Sequence, residues 1–232
     1  MLLFAASHLA KRYAAGVPGC SAAVRVLAHV DLQLTDGSVV GVVGDRASGK
    51  TTLVRCVAGL ARADAGALRW APGAERARVV SLAPAALPFE TVRDVLSRAS
   101  ADPLVHPERL AAAVDALGLA GLLSQSQTML TTDERARLAL AIGLATGHPL
   151  LLLDGTADAI AARERAAVRA CLLRHAGSGA AVLLTGRDPA AVSALAGTVL
   201  RLADGKLTSP EPAPQAWPAR VAEARSAPPA VR

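Results

Sequence analysis

Eight consecutive residues, Gly44-Asp45-Arg46-Ala47-Ser48-Gly49-Lys50-Thr51, follow the spacing G-x-x-x-x-G-K-[ST]. Glycines at both ends let the main chain curl until successive N–H groups converge on one point, where an anion can sit. A helix starting there adds the positive end of its dipole. Lys50 would reach the terminal phosphates and Thr51 would offer its hydroxyl to Mg²⁺, with Thr52 beside it in the first helical turn. The octapeptide implies a cradle for a nucleoside triphosphate. A Gly-rich turn carrying a surface lysine is the bland alternative, and the flanking sequence argues against it.

The elements that must hold this loop lie on both sides of it. Val39 to Val43 is a continuous apolar run, which predicts a strand buried on both faces, and Thr51 to Leu60 predicts the helix that follows. Further on, Leu150 to Leu153 are four leucines ending in Asp154. A strand there projects one carboxylate past its C-terminal end, towards Mg²⁺ or its waters. Alone, an acid after a strand is as readily a turn residue. Beside Gly44 to Thr51 it pairs with Thr51 as a metal site.

The rest of the chain reads as the scaffold. The first 43 residues predict short strands and turns: Leu27 to Leu34 partly alternates, and Asp36-Gly37 reads as a hairpin-type turn into Val39. Val79 to Leu82 predicts another short strand. From about Glu90 to Ala145 the pattern is helical. Thr91 opens one helix and Pro107 another, whose Leu110, Val114 and Leu117 recur at helical spacing until Gly118. Strands return at Leu150 to Leu153, Ala181 to Leu184 and Val199 to Leu202, with helices over Ala161 to His175 and from Asp188-Pro189 to about Ala196. Asp204-Gly205 turns the chain into Lys206 to Thr208. This alternation predicts an α/β fold on a mostly parallel sheet. From Ser209 on, six prolines in 24 residues predict a flexible tail, with Trp217 idle within it.

Composition narrows the function. Of 232 residues 52% are apolar but only 2% aromatic, so the core must be built from Leu, Val and Ala. The net charge of +6 comes from scattered arginines. A nucleic-acid surface would gather them in a stripe interleaved with aromatics, so no nucleic-acid partner is expected. Cys20, Cys56 and Cys171 have no ligand or disulfide spacing, which predicts reduced, mostly buried thiols in a cytosolic protein. Leu2 to Ala10 is apolar, but Lys11 and Arg12 follow it, the wrong order for a secretory signal. The longest uncharged run, Leu138 to Leu153, is broken by Gly147-His148-Pro149 and is shorter than a membrane span. Membrane contact is expected only through a partner.

With these motifs in place the chain resembles the ATP-binding cassette family, the nucleotide-binding subunits of ABC transporters, over residues 1 to about 208. The stretch from Val26 through Gly44 and on to Leu60 looks like the opening of such a domain. Lys11-Arg12-Tyr13 is similar to the family's aromatic loop, which implies Tyr13 against adenine. Leu130 to Arg137 occupies the place of the signature loop, and Leu202 to Leu207 looks like the closing hairpin. The resemblance implies a P-loop NTPase fold with a RecA-like, mostly parallel sheet, an N-terminal antiparallel β part and an α-helical subdomain inserted at about residues 90–145. It implies ATP and Mg²⁺ as cofactors. The implied partners are a transmembrane permease and a second ATP-binding subunit, at the cytoplasmic face of the cell membrane.

The departures from the family pattern carry as much meaning. Gly155 stands where the family places its catalytic glutamate, and Thr156 where it has proline. The histidine that senses the γ-phosphate should follow Thr185, where the chain reads Gly186-Arg187. No glutamine lies near Ala83 or Pro84, and in the loop from Ala157 to Ala161 the last residue replaces an aspartate. A general base is worth roughly 10²–10⁴ in rate, or about 2.7–5.5 kcal/mol. The expectation is therefore ATP binding with slow turnover and no assigned catalytic residue. Asp158, the one nearby acid, is expected to face a partner instead of the attacking water. In the signature segment, Thr131-x-x-Glu134 reads as a capping box, and Asp133 and Glu134 would put negative charge where a partner's phosphate docks. Two other readings stay open: a working transport ATPase with substituted groups, and a non-transport P-loop protein such as a small-molecule kinase or nucleotide sensor.

Overall fold

The computed structural model describes residues 1–14, 23–72, 77–80 and 90–209. Two strands of 13 residues each, β1 (Leu2–Ala14) and β2 (Ala23–Thr35), pair antiparallel. With β4 (Ala65–Trp70) they form a three-stranded sheet in the order β2-β1-β4. The second sheet has six strands in the order β5-β6-β7-β3-β8-β9. Its members are β3 (Val39–Val43), β5 (Ala77–Val80), β6 (Leu150–Leu153), β7 (Ala181–Gly186), β8 (Thr198–Ala203) and β9 (Lys206–Thr208). All its pairings are parallel except the β8–β9 hairpin. This is the α/β arrangement expected, an antiparallel β part beside a mostly parallel sheet.

Strand alternation sorts the core into two halves. Val39 and Val43 of β3, with Leu151, Leu153, Val182 and Leu184, face one hydrophobic cluster. There they meet α2 (Val92–Ser100), α3 (Pro107–Ala116), α4 (Thr132–Ala145), α6 (Arg165–Gly177) and α7 (Pro189–Leu195). Val40, Val42, Leu150, Leu152 and Leu183 face the other cluster. That side holds α1 (Lys50–Val57) and the inner face of the three-stranded sheet, including Phe4, whose ring meets Trp70 edge-on at 4.6 Å. Each fully buried leucine contributes about 1.5–3 kcal/mol. Helix α1 thus sits between the two sheets, with Leu53, Val54, Cys56 and Val57 buried, so its N-terminus cannot drift from the end of β3.

Several expectations need correction. Asp36-Gly37 is a turn but not a hairpin, because β2 pairs with β1 while β3 pairs with β7 and β8. The alternating strand has one buried face and the continuous apolar strand needs two, so the turn carries the chain between sheets. The first strands are long, not short, and register shifts between them coincide with positive φ at His8 and His29, which breaks their alternation. Helix α1 stops at Val57, short of Leu60, where Leu60 N–H donates to the Arg55 carbonyl at 2.8 Å and Gly59 N–H to that of Cys56 at 3.1 Å. The short strand begins at Ala77, and Leu82 lies outside the described residues, as do Ala83, Pro84, Cys20 and the tail from Pro210. Strand β4 and the four-residue α5 (Thr156–Ala159) were not foreseen. Among the described residues no helix is long and apolar enough to cross a membrane.

Helix α4 is anchored from below. Arg137 donates from Nε to Asp133 Oδ2 at 2.9 Å, and its Nη1 donates to the Leu117 carbonyl at the end of α3. Asp133 Oδ1 accepts the Ala161 N–H at 2.8 Å. Asp133 is therefore turned inward and neutralised, which corrects the expectation that it presents charge to a partner. Removing one member of such a buried pair strands the other. Arg137→Ala should cost about 3–5 kcal/mol in chemical denaturation, whereas Arg135→Ala should stay within about 0.5 kcal/mol; equal stability of the two variants would contradict this anchoring.

Candidate functional site

The C-terminal ends of β6, β7 and β3 lie side by side, with Leu153 level with Leu184 and Val43 level with Gly186. Ligands of parallel α/β sheets bind at this edge. Three segments leave it together: the loop Gly44 to Gly49 from β3, Asp154-Gly155 from β6, and Arg187-Asp188 from β7.

The loop is built to leave main-chain N–H groups open. Helix α1 starts at Lys50 with Gly49 at its N-cap, and no side chain caps it. Gly49 has φ +104, and a Cβ there would come within 2.9 Å of the Val26 carbonyl oxygen, so only glycine fits. Ala47 is also left-handed, at φ 64, a conformation that costs an L-residue roughly 1–2 kcal/mol. Strain and uncapped amides at one place fit a site that a ligand completes. Lys50 folds back over the loop, donating from Nζ to the carbonyls of Gly44 and Asp45, both at 2.7 Å, and to Ser48 Oγ at 3.3 Å. Burial lowers the Lys50 pKa, while Asp158, Asp154 and Asp45 pull it back up and Arg187 adds to the lowering.

A cavity of about 270 Å³ opens over this loop, lined by Tyr13, Val26 and Ala47 to Thr52. Tyr13 is thus brought to the loop from the end of β1, which the sequence places far away. Its segment is tied by Asp64, which accepts the Arg12 N–H at 2.6 Å and the Lys11 ammonium at 3.0 Å. These same two donors, the Arg12 N–H foremost, hold the Asp64 carboxyl below its usual range. Lys11 Nζ lies 5.3 Å from the centre of the Tyr13 ring, so one face of the ring carries a cation. Asp45 and Arg46 are exposed at the loop's tip, and Asp45 Oδ2 lies 4.0 Å from Arg201 Nη2.

On the β6 side, Asp154 Oδ1 accepts from the Thr185 hydroxyl at 3.0 Å, and that hydroxyl accepts the Gly155 N–H at 2.8 Å. Thr185 is completely buried and fixes the carboxylate at the sheet edge. A carboxylate oxygen here and the exposed Thr51 hydroxyl suit Mg²⁺, which takes few protein oxygens and fills its octahedron with phosphate and water.

Asp158 is placed differently from the expectation. It accepts the Arg187 N–H at 2.8 Å, the Asp188 N–H at 3.0 Å and Arg187 Nε at 3.3 Å, and it acts on Lys50 more strongly than any other acid. It therefore faces the loop after β7 and the phosphate-loop lysine, not a partner. Burial raises its pKa, but the Asp188 and Arg187 amides and the Arg187 guanidinium overcome that and leave it below the usual carboxylate range. A carboxylate so tied is a weak base. The Asp158–Arg187 pair was missed as a feature of the site; nothing local in the sequence links residues so far apart.

Gly155 and Gly186, the two glycines that the family resemblance singled out, differ physically. Gly155 has φ +69 and open space around its missing Cβ. A Cβ on Gly186 would lie 2.7 Å from Val192 Cγ2 and 3.0 Å from both Ala157 Cβ and Asp158 Oδ1. No histidine fits at Gly186 in this packing.

A family model of ABC transporters matches residues 27–157. The chain is 36% identical over 189 residues to the aliphatic sulfonates import ATP-binding protein SsuB 2 of Pseudomonas savastanoi pv. phaseolicola, a match covering 79% of this chain and 67% of that protein. It is 30% identical over 200 residues to the molybdenum import ATP-binding protein ModC of Methylococcus capsulatus, covering 79% of this chain and 55% of that one. The chain thus spans from about two thirds to about half of these relatives' lengths. Among solved structures, an ATP-binding cassette of an ABC transporter in its ADP conformation superposes with a TM-score of 0.72 over 90% of both chains at 16% identity. A dimeric cassette bound to ADP and Pi gives 0.71 over 88% of this chain and 96% of that one, also at 16% identity.

The contrast between the two glycines is testable by stability alone. Gly155→Glu should lose only the strain of a left-handed residue, about 1–2 kcal/mol. Gly186→His should lose about 3 kcal/mol or more through overpacking against Val192 and Ala157. Thermal or urea unfolding that ranks them in the opposite order would refute the packing argument.

Proposed function

The chain belongs to the ABC transporter family, and from that premise we propose that it is the ATP-binding subunit of an ABC importer, holding Mg-ATP but turning it over slowly. The observation that carries this reading is the uncapped start of α1 with Lys50 folded over it, beside Asp154. In this reading residues 1–208 form the ATP-binding domain, with a helical subdomain at about 90–145 and a Pro/Ala-rich tail at 209–232. The loop amides from Gly44 to Thr52 and the Lys50 ammonium hold the phosphates. Tyr13 meets the adenine, and Thr51 and Asp154 hold Mg²⁺, which neutralises phosphate charge when bound. The import direction rests on the names of the relatives SsuB and ModC.

The reading of slow turnover rests on what stands beside the phosphates. Gly155 carries no carboxylate, and Asp158 is held as a stabilised anion by three donors. With neither to polarise water, binding outlasts cleavage. The subunit then serves as a nucleotide-dependent clamp that docks on a separate permease at the cytoplasmic face of the membrane and pairs with a second ATP-binding subunit.

Its support of that partner's nucleotide is weakened by the signature-region helix. Thr131 Oγ1 accepts the Glu134 N–H at 3.2 Å, and Glu134 Oε2 accepts the Thr131 N–H at 2.8 Å and its hydroxyl at 2.9 Å. The Thr131 N–H and hydroxyl hold the Glu134 carboxyl below its ordinary range, so it stays charged. Helix α4 thus satisfies its own first amides, where α1 leaves them open.

Steady-state ATP turnover separates this clamp from a fully active ATPase. Wild-type turnover should be roughly 10²-fold or more below that of Gly155→Glu, since a positioned base supplies that much. Wild-type turnover already matching Gly155→Glu, and abolished by Lys50→Ala, would sink the slow-turnover reading.

A further inference from the structure

A second cavity, of about 230 Å³, lies where α3, α4 and α6 meet, and none of its lining residues belongs to the phosphate-loop cavity. Its floor is apolar, made by Ala112, Ala113, Leu144 and Cys171, and burial raises the Cys171 pKa and so keeps it a neutral thiol. Arg109 from α3 and Arg174 from α6 stand at its rim, both exposed. Among the described residues neither guanidinium has a carboxylate partner. Arg174 Nη2 rests 3.1 Å from Cys171 Sγ, a weak acceptor, which sets the guanidinium over the floor. Arg109 Nη1 lies so near Gly147 that a Cβ there would come within 2.7 Å of it. Two cations from two helices thus share one concave surface, and no carboxylate among the described residues neutralises them.

The wall holds a further unsatisfied group. His175 is only 7% exposed, and its Nε2 is buried without a hydrogen-bond partner. An orphaned buried polar atom is costly, and it is relieved by a ligand or a bridging water. Ser178 adds no donor, because its hydroxyl is already given to the His175 carbonyl at 2.7 Å.

We propose that this cavity binds a small organic anion, its oxyanion head between Arg109 and Arg174 and a short aliphatic body on the floor of Ala112, Ala113, Leu144 and Cys171. Paired guanidiniums recognise oxyanions through charge-assisted, often bidentate hydrogen bonds. The apolar floor selects against a bare inorganic ion, and at about 230 Å³ the cavity is smaller than drug-sized pockets, which suits a short ligand. Because the two arginines come from different helices, the bound anion ties α3 to α6.

The test is calorimetric titration of the full chain, without nucleotide, using 1-hexanesulfonate, with sodium sulfate and 1-hexanol as the charge-only and apolar-only probes. Hexanesulfonate should bind saturably at one per chain, and each of Arg109→Gln and Arg174→Gln should weaken it at least about tenfold. Sulfate and hexanol should each bind at least about tenfold more weakly than hexanesulfonate. Unfolding midpoints of both variants should match the parent, since neither arginine has a carboxylate partner among the described residues. If a glutamine variant is destabilised, Arg109→Lys and Arg174→Lys decide: they keep the charge but lose the fork, and should still weaken binding measurably. No saturable binding up to about 1 mM, affinity unchanged in the variants, or sulfate binding as well as hexanesulfonate would overturn the proposal. Mg-ATP plays no part in this titration, so its outcome is independent of the phosphate-loop reading.

Discussion

A helix that begins without a side-chain cap leaves its first amides facing outward with nothing to accept them, and that condition at Gly49 organises the site of this chain. The same chain shows the alternative twice. Helices α2 and α4 each close their starts with a full capping box, Thr91 with Asp94 and Thr131 with Glu134. Where β3 delivers the chain to α1 no side chain does this, and there an ammonium on the loop carbonyls fills the space. The two-sheet architecture serves this one junction: α1 is wedged between sheets, and β3 lies between β7 and β8. The loop therefore has little freedom to collapse.

Electrostatics around Lys50 set what the site can do after binding. Asp158, Asp154 and Asp45 act on it from three segments, yet they are not equivalent. Asp154 is oriented by a buried threonine and keeps an oxygen for a cation. Asp158 is committed to the loop after β7. A carboxylate held by amides and a guanidinium gains little by taking a proton, so its closeness to Lys50 does not make it a base. Crowding by Val192 and Ala157 fixes glycine at position 186, whereas the open space beside Gly155 would admit a side chain.

What was legible in the sequence was local. The octapeptide, the valine-rich and all-leucine strands beside it, the Asp188-Pro189 helix start and the Thr131–Glu134 capping box depend on residues within a few positions of one another, and the structure contains each of them. Apart from the early end of α1, the failures below were long-range. Whether Asp36-Gly37 joins partners in one sheet depends on which edge β3 finds, and that is decided by β7 and β8, far along the chain. Asp133 reads as an ordinary first-turn acid until Arg137 and the Ala161 amide are seen beneath it. Strand β4 carries weak alternation and gains its identity from pairing with β1. Nothing in the spacing of Tyr13 says that it should line the phosphate-loop cavity; the family resemblance supplied that, and the fold of β1 places it there.

The central claim is that main-chain amides and a single ammonium hold a triphosphate on this chain. Isothermal titration of the intact protein with Mg-ATP addresses it directly, because heat of binding is read whether or not the nucleotide is cleaved. Saturable binding at one site per chain, weakened at least about a hundredfold by Lys50→Ala, is the expected result, in line with about 3 kcal/mol for a charge-assisted phosphate contact. No detectable affinity, or an affinity indifferent to Lys50→Ala, would contradict it.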